Sequence, residues 1–407
     1  MSTIETAFNP FDTTFMTIPG SVLADARSES PVFFSPFFNA WVVTRYDDVA
    51  AILREPERYI SKEVLSIVEL LSPEIIELFG DEIPMEGTLT GVDEPDHARL
   101  RKVLQPGLNP EAVAAYEPMI RARCDILLDD MMRSDQGDLV TQFAYPLPLH
   151  VISEIIGMPR DLTMYLRQVV EDWAALSTAQ LFGVPLEDQF VLANRILDAH
   201  RLCARLIEQR YKNPRGDLIS LVAKGRDTQD LSPREMLSLV PGLFLAGHEP
   251  SANIITSMFW HLLSVPSRYD ALLANPDLGP KFLEETLRLE APVFGMWRIA
   301  SEDSLVGGHS VSTGQRLFLT YLSANRDTSH YSEADEFTLA HERSAPHLAF
   351  GRGIHSCIGA PLARLEGKVV LDVIAERLPN LRLIEGFSPT YQPHPFLRGM
   401  ASLPVTW

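Results

Sequence analysis

The sequence has few cysteines, no excess of basic residues and no apolar run long enough to cross a bilayer. Its 407 residues include 35 Lys and Arg against 54 Asp and Glu, which gives a net charge of −19. Proteins that bind nucleic acid need a clustered basic excess to neutralise phosphates, and docking on anionic lipid also favours basic residues. The composition therefore argues against both classes of partner.

Segments that would direct the chain to a membrane or out of the cell are also missing from the sequence. The N-terminal stretch MSTIETAFNPFDTTF has neither a basic region nor an apolar core, so it does not read as a secretory signal. The apolar stretch 239–247 (LVPGLFLAG) is too short for a transmembrane helix and is interrupted by Pro241 and Gly242. We therefore expect a cytoplasmic protein.

Only three cysteines are present, Cys124, Cys203 and Cys357. This small odd number is not a disulfide framework and suits a reducing compartment. Cys124 and Cys203 lie in helical patterns, where cysteine usually acts as a small buried apolar side chain. Cys357 has different neighbours and therefore requires a separate explanation.

The apolar pattern predicts one large, mainly helical domain with a minor sheet component, spanning residues 1–407. No internal repeat or linker composition divides the chain. Apolar residues recur at three- and four-residue spacing in segments 109–132, 162–176, 186–211, 233–263 and 362–378. Short strand-like patterns occur at 31–44, 297–299, 316–321 and near the C-terminus.

The segment around Cys357, residues 350–359, reads FGRGIHSCIG. Its three glycines indicate a backbone that approaches a neighbour closely or adopts positive φ. Apolar residues recur at helical spacing from Ile358 to Val369, so Cys357 is predicted at a helix N-terminus. Backbone N–H groups there favour a thiolate, which is the ligand that a haem iron needs for O–O cleavage.

This segment resembles the cysteine loop of the cytochrome P450 family, Phe-Gly-x-Gly-x-His-x-Cys-x-Gly. All six fixed positions match, namely Phe350, Gly351, Gly353, His355, Cys357 and Gly359. The resemblance implies the P450 fold and haem b, with Cys357 as the iron ligand and the haem between the oxygen-activating helix and the cysteine-loop helix. The alternative is a glycine-rich loop with an incidental cysteine. A zinc site is less favoured, because no second Cys or His pair stands at ligand spacing.

Other matching positions extend the resemblance over most of the chain. Glu285 and Arg288 match the buried Glu-x-x-Arg pair of the family, and three-residue spacing places them on one helix face. The resemblance implies that cationic side chains hold the haem propionates; these are His97, Arg101, Arg298 and His355.

The predicted oxygen-activating helix departs from the family pattern. The family has Ala-Gly-x-Asp/Glu-Thr, whereas this chain has Ala246, Gly247, a histidine, Glu249 and Pro250. Ala246 and Gly247 would form the oxygen groove and Glu249 would supply the acid. Pro250 has no hydroxyl, so two interpretations are open: it fits an existing bend, or protons are rerouted through Ser251, Glu249, water or the substrate.

The predicted substrate pocket is apolar and aromatic, which suggests a terpenoid-like or aromatic substrate. Its candidate residues are Leu89, Leu181, Phe182, Leu243, Phe244, Val293, Phe294, Met296 and Phe396. If the segment near residue 297 is a strand, Phe294, Met296 and Arg298 point to one face.

The resemblance is to bacterial members of the family, and it implies that electrons come from a separate ferredoxin, which an NAD(P)H-dependent reductase reduces. A local basic patch would suit an acidic iron–sulfur protein. Its candidates are Arg99, Lys102, Arg343, Arg352, Arg364 and Lys368.

The leading functional prediction is a monomeric monooxygenase that uses O2. A peroxide-dependent or oxidative-coupling enzyme is an alternative, supported by Pro250 alone. Some peroxygenases of the superfamily also carry this proline, but they have arginine where Glu249 stands. A non-catalytic haem sensor or carrier is the third possibility.

Overall fold

The computed structural model describes residues 3–17, 19–64, 66, 68–80, 87–228, 230–340 and 345–407. The chain is mainly helical with small sheets, as the sequence predicts. The helices are α1 (Thr3–Ala7), α2 (Thr13–Thr17), α3 (Pro19–Glu29), α4 (Tyr46–Ile52), α5 (Pro73–Phe79), α6 (Asp96–Leu108), α7 (Pro110–Ala114), α8 (Glu117–Met131), α9 (Pro146–Ile156), α10 (Thr163–Ser177), α11 (Ala179–Phe182), α12 (Leu186–Lys212), α13 (Leu218–Lys224), α14 (Pro233–Leu263), α15 (Pro266–Ala274), α16 (Gly279–Glu290), α17 (Tyr321–Ala324) and α18 (Ala360–Arg377). The strands are β1 (Val32–Ser35), β2 (Ala40–Val43), β3 (Tyr59–Ile60), β4 (Gln136–Asp138), β5 (Met296–Ala300), β6 (Ser304–Val306), β7 (His309–Val311), β8 (Arg316–Leu319), β9 (Arg382–Leu383) and β10 (Pro404–Thr406).

The helical patterns are confirmed for α10, α12, α14 and α18. The stretch 109–132 differs, because it forms two helices, α7 and α8, with a break at Tyr116. Pro118 lies in the first turn of α8. Proline has no N–H to donate, so it is tolerated at a helix start and disfavoured in an interior.

The main sheet is five-stranded, in the order β1-β2-β8-β5-β3. The stretch 31–44 forms the β1–β2 hairpin, whose turn contains Asn39 at φ 47°. Strands β2 and β8 are parallel, and the other pairs of this sheet are antiparallel. Two smaller sheets join β4, β10 and β9, and β6 with β7.

The described chain divides into two compact units. The first contains residues 1–60, 113–148 and 249–407. It holds the five-stranded sheet, α16 and α18. A Cβ added at Gly367 on α18 would lie 2.7 Å from a methyl carbon of Leu283 on α16, so this glycine allows the two helices to approach closely.

The second unit contains residues 61–112 and 149–248. Helices α10 and α12 pack together there, and α12 packs in turn on α13. One buried cluster contains Ile75, Phe79, Leu176 and Ile196. The assignment of residues 1–407 to a single domain stays a prediction.

Helix α14 is 31 residues long and continues through Pro241 and Pro250. The helical pattern predicted over 233–263 therefore continues through both prolines. Each proline still removes one backbone donor from the helix, which leaves the carbonyl four residues earlier without its usual helical partner. For Pro250 this is the carbonyl of Ala246. Among the helices of the described residues, none is both long and apolar enough to span a membrane.

Candidate active site

The Cys357 loop is held by backbone contacts that depend on glycine. Gly351 and Gly353 have φ of 65° and 76°, and a Cβ at Gly353 would clash with the carbonyl oxygen of Leu53. The Cys357 amide donates to the Phe350 carbonyl at 2.9 Å. Helix α18 begins three residues later, so Cys357 precedes a helix N-terminus as predicted.

The thiol of Cys357 is exposed, whereas Cys124 and Cys203 are buried. Burial raises the pKa of Cys124 and of Cys203 to about 12, so both remain neutral thiols. A Cβ added at Gly359 would lie 3.8 Å from the Cys357 sulfur, so the backbone there stays close to it. An accessible sulfur next to the N–H groups of a helix start fits the thiolate ligand of a haem.

A polar cluster supports Phe350 at the start of this loop. The Arg364 guanidinium lies over the Phe350 ring, 4.7 Å from its centroid, and donates to both carboxylate oxygens of Glu284 at 2.6 and 3.0 Å. His347 Nε2 lies 3.0 Å from the same carboxylate. Burial would raise the pKa of Glu284, but hydrogen bonds from His347 and Arg364 outweigh burial and lower it to about 2.

The Glu285–Arg288 pair lies at the end of α16 and is completely buried. Arg288 donates to both Glu285 oxygens at 3.0 and 2.8 Å. It also donates to the carbonyls of Asn325, Ala334 and Glu336 at 2.6 to 2.9 Å. The pair therefore fixes the segment that leads to the cysteine loop, which agrees with the role that the resemblance implies.

Arg298 lies in β5 and is 4% exposed. Its Nη1 donates to the Trp297 carbonyl at 2.7 Å. Met296 and Arg298 are two residues apart in the strand, so their side chains share one face. The Trp297 side chain lies on the opposite face. His355 lies in the short 3₁₀ turn Gly353–His355, which ends two residues before the cysteine.

Phe294 lies outside the strand, so the face of its side chain stays a prediction. Its ring contacts Phe318 at a centroid distance of 5.6 Å, and Phe318 is the register partner of Trp297. Phe294 precedes the strand, and Gly295 separates the two. A Cβ at Gly295 would clash with the Phe318 ring, so glycine at this position lets the backbone approach β8 closely.

His97 and Arg101 lie one turn apart on α6, as predicted. His97 is 2% exposed and its Nδ1 lies 3.4 Å from Glu94 Oε1. Burial lowers the pKa of His97, against the opposite effect of Glu94, so the imidazole is neutral at neutral pH. The loop before α6 is fixed by Asp93, whose carboxylate accepts the amides of Ser61 and Lys62 at 2.7 and 2.9 Å.

The α14 turn has small residues where the oxygen groove is predicted. Ala246 is exposed, and Glu249 and Pro250 are half-buried. A Cβ at Gly247 would lie 2.6 Å from side-chain carbons of Ile152, so only glycine fits without a shift of that side chain.

Glu366 on α18 is a buried acid that the sequence reasoning missed. It is 1% exposed. Burial raises its pKa to about 8, and an interaction with the Ser251 hydroxyl opposes this in part. Its negative form also helps to raise the pKa of the Cys124 thiol. The signal was available in the sequence, because Glu366 stands between Leu362 and Val370 at four-residue spacing on the apolar face of α18.

The predicted pocket residues have different environments. Phe244 is buried, and Leu89 and Leu243 are half-buried. The Phe396 carbonyl accepts from the Phe294 amide at 3.0 Å, and Val293 pairs with Leu397.

Phe182 requires a correction. It is 62% exposed at the end of α11, so it does not form a pocket wall. A glycine in the left-handed conformation, Gly183, ends this short helix, and α11 continues for only four residues. The Leu181 side chain lies outside the described residues.

Several side chains of the predicted basic patch form ion pairs with acidic side chains, which offset their positive charge. Arg99 contacts Glu235 and Asp96, each at 2.6 Å. Arg364 is bound to Glu284, and Lys368 contacts Asp372 at 2.8 Å. Arg343 lies outside the described residues. These ion pairs reduce the net positive charge that the patch offers to a partner.

Comparison with known proteins identifies the family of this chain. The family model for cytochrome P450 matches residues 81–378. A biotin biosynthesis cytochrome P450 from Bacillus subtilis (strain 168) is 31% identical over 398 residues, covering 97% of each chain. Mycinamicin IV hydroxylase/epoxidase from Micromonospora griseorubida is 34% identical, covering 90% of this chain and 89% of that protein.

Solved structures show the same fold. Cytochrome P450 CREJ in complex with (4-ethylphenyl) dihydrogen phosphate has a TM-score of 0.90 and 28% identity, covering 99% of this chain and 100% of that one. P450BioI in complex with hexadec-9Z-enoic acid ligated acyl carrier protein has a TM-score of 0.86 and 30% identity, covering 97% and 100%. The chain is a haem b monooxygenase and belongs to the cytochrome P450 family.

Proposed function

We propose that this cytochrome P450 inserts one oxygen atom from O2 into a small-to-medium hydrophobic substrate, terpenoid-like or aromatic, with electrons from a ferredoxin. The observation that carries the proposal is the exposed Cys357 thiol, set in a glycine loop before α18 while the other two cysteines are buried. The apolar character of Leu243, Val293 and Met296 supports a hydrophobic substrate.

When bound, haem b supplies the electron-transfer and oxygen chemistry that amino-acid side chains lack. Cys357 would hold the iron through its sulfur. Arg298 and Arg101 would pair with the propionates, for which the guanidinium fork is well suited. His97 and His355 would add ring N–H donors to the same carboxylates.

We propose that protons are handled around Ser251 rather than at Pro250, which has no hydroxyl. Glu366 holds its proton at neutral pH because burial raises its pKa to about 8. Its polar neighbour is the Ser251 hydroxyl, which can both accept and donate a proton. Glu249, two residues earlier on α14, would supply a second acid.

Names of related proteins indicate varied chemistry rather than one substrate. They include a nocardicin C N-oxygenase and a methyl-branched lipid omega-hydroxylase. The terpenoid or aromatic class for this chain is therefore an inference from its apolar residues. The cytoplasmic location and the monomeric state also stay predictions.

The test is an absorption titration of the purified ferric protein with monoterpenes, sesquiterpenes and methoxylated aromatics. We expect a shift toward high spin with one class, because a substrate that fills the pocket displaces water from the iron. If haem is present and no compound of the panel shifts the spectrum, the result would contradict the proposal of a compact pocket. It would indicate a larger or carrier-bound substrate.

Cys357→Ser tests the ligand, with Cys203→Ser as its matched control. We expect the carbon monoxide spectrum of the reduced protein to lose its thiolate character in the first variant and to keep it in the second. Loss of that character in both variants would count against a specific role for Cys357.

Pro250 is the specific observation that favours a peroxide-driven or oxidative-coupling reaction. That alternative predicts product formation with hydrogen peroxide in the absence of ferredoxin. Turnover that requires both ferredoxin and NADH would exclude it, and would also exclude a haem sensor or carrier. If the basic patch binds the ferredoxin, added salt should slow reduction, and salt-independent reduction would contradict that docking mode.

A further inference from the structure

An apolar cavity that is partly open to solvent lies within the second unit, beside α14. Its walls come from α10, α12 and α14, with Val170, Trp173, Ala199, Phe244 and Leu245 among the lining residues. The surface that these side chains present to the cavity is almost wholly apolar. None of them has a role in the proposed haem ligation or proton handling.

The cavity lies on a different face of α14 from the predicted oxygen groove. At about 100° per residue, Pro241 and Phe244 project from one side of the helix, and Ala246 and Pro250 from the other. Leu245 lines the cavity and immediately precedes Ala246. This single side chain therefore stands at the border between the two faces.

The size of the cavity limits its ligand. It measures about 40 Å³, counted as the space open to the centre of a water molecule. At roughly 10–15 Å³ for each water-sized sphere, the cavity has space for about three. A terpenoid does not fit, so the cavity is not the substrate pocket.

The chemistry of the walls disfavours water. A water molecule in a cavity needs two to four polar partners, and apolar cavities stay dry and accept apolar guests such as xenon. The lining residues with polar side-chain atoms are Trp173, His200 and Cys203, but almost none of the surface that faces the cavity is polar. Burial raises the pKa of Cys203 to about 12, so its thiol is neutral.

We propose that this cavity is a binding site for dioxygen, where the gas collects beside Leu245 before it reaches the groove at Ala246. Dioxygen is apolar and diatomic, so it can occupy a small site with almost wholly apolar walls, where a water molecule would lack the polar partners that it needs. The inference rests on the proposed use of O2. The site itself can be tested without turnover.

The binding test uses xenon as the probe, in crystals of the haem-loaded protein under xenon pressure. We expect one xenon peak between α10, α12 and α14. Ala199→Leu adds three carbons at a residue that is 4% exposed on the cavity wall, so this peak should be lost. Ala204→Leu makes the same change at an exposed position of α12 and should keep it.

The functional test is the second-order rate constant for dioxygen binding to the reduced haem protein, measured by stopped flow. We expect it to fall in Ala199→Leu and to stay unchanged in Ala204→Leu, with equal melting temperatures as evidence of intact folding. Val170→Ala, which enlarges the cavity, should retain the xenon peak.

No xenon peak in the unmodified protein would overturn the site. A peak that Ala199→Leu abolishes without a change in the dioxygen rate would overturn its proposed role. Failure of the proposed function would show separately, as absence of product from every substrate while xenon still binds.

Discussion

Two buried carboxylates of the first unit, Glu285 and Glu366, have opposite surroundings. They are 0% and 1% exposed. Glu285 faces the Arg288 guanidinium through two hydrogen bonds of 3.0 and 2.8 Å. Glu366 has the hydroxyl of Ser251 and the thiol of Cys124 as polar neighbours, and its pKa is raised to about 8. The two carboxyl groups are therefore about equally buried, but Glu285 is paired with a guanidinium and Glu366 is a protonated acid.

The difference separates a fixed scaffold from a group that can titrate. Two parallel hydrogen bonds and three backbone carbonyls allow Arg288 a single position, which suits the support of the cysteine loop. Glu366 is not held by a charge and can release its proton near neutral pH. The contrast teaches that the partner, rather than the depth of burial, decides what a buried acid does.

The largest effect is expected from removal of Arg288. Arg288→Ala leaves the Glu285 carboxylate buried without its counter-ion, which typically costs 3–5 kcal/mol. We expect a large fall in the free energy of unfolding and poor haem incorporation, measured by urea unfolding and the carbon monoxide spectrum.

Arg377→Ala is the control for this prediction. Arg377 is 28% exposed and contacts Asp129 at 2.7 Å, and exposed pairs contribute about 0–1 kcal/mol. Equal losses in the two variants would show that Arg288 has no special structural role.

The second prediction concerns Glu366→Gln and pH. Between pH 4.5 and about 8, the folded protein keeps a proton on Glu366 that the unfolded chain releases. The free energy of unfolding should therefore fall as pH rises through this window and level off above it.

Glu366→Gln removes this dependence, because glutamine does not titrate. We expect the variant to have a flatter stability profile and to be more stable than the unmodified protein at about pH 9, by a few kcal/mol. Thermal or urea unfolding across pH measures the difference. Parallel profiles for the two proteins would refute the assignment of a raised pKa to Glu366.

The sequence predicts the elements that depend on interactions between residues close together in the chain. Helices α10, α12 and α18 have apolar residues at helical spacing. Two of the three glycines in the Cys357 loop, Gly351 and Gly353, have the predicted positive φ, whereas Gly359 has a φ of −84°. The residue types of the cysteine loop were therefore sufficient to predict its place before a helix.

Contacts between distant segments were not predictable in this way. The cluster that supports Phe350 joins Glu284, His347 and Arg364, which are up to 80 residues apart. Phe294 contacts Phe318 because Gly295 lets two backbones approach, which no alternation rule contains. The partners of Glu366 depend on the packing of α8 and α18, so the sequence alone gave only its position on an apolar face.

Ser251→Ala tests the contact between Ser251 and Glu366, and its expected effect on stability is smaller than that of Glu366→Gln. The Ser251 hydroxyl lowers the pKa of Glu366, in opposition to burial. Its removal should move that pKa higher, so the fall in stability should extend to higher pH than in the unmodified protein. Ser257→Ala, at another buried serine of α14, serves as the control. The contact between Ser251 and Glu366 would be contradicted if the midpoint of the fall in stability moved to lower pH in Ser251→Ala. It would also be contradicted if this midpoint moved equally in Ser251→Ala and Ser257→Ala.

The smallest effect is expected from Pro250→Thr, measured as the fraction of NADH consumed that appears as product. Threonine adds a hydroxyl one residue before Ser251 and restores an N–H donor for the Ala246 carbonyl. If protons are now routed only through the neighbours of Pro250, the added hydroxyl should raise coupling. Pro250→Val is the control, because valine at the same position of the helix restores the backbone N–H and has the shape of threonine without its hydroxyl. Higher coupling in Pro250→Thr alone would assign the effect to the hydroxyl, because both variants relieve a helix-interior proline. Equal coupling in both variants and in the unmodified protein would mean that Pro250 merely fits the helix, and that Ser251 and Glu366 do not replace a missing alcohol.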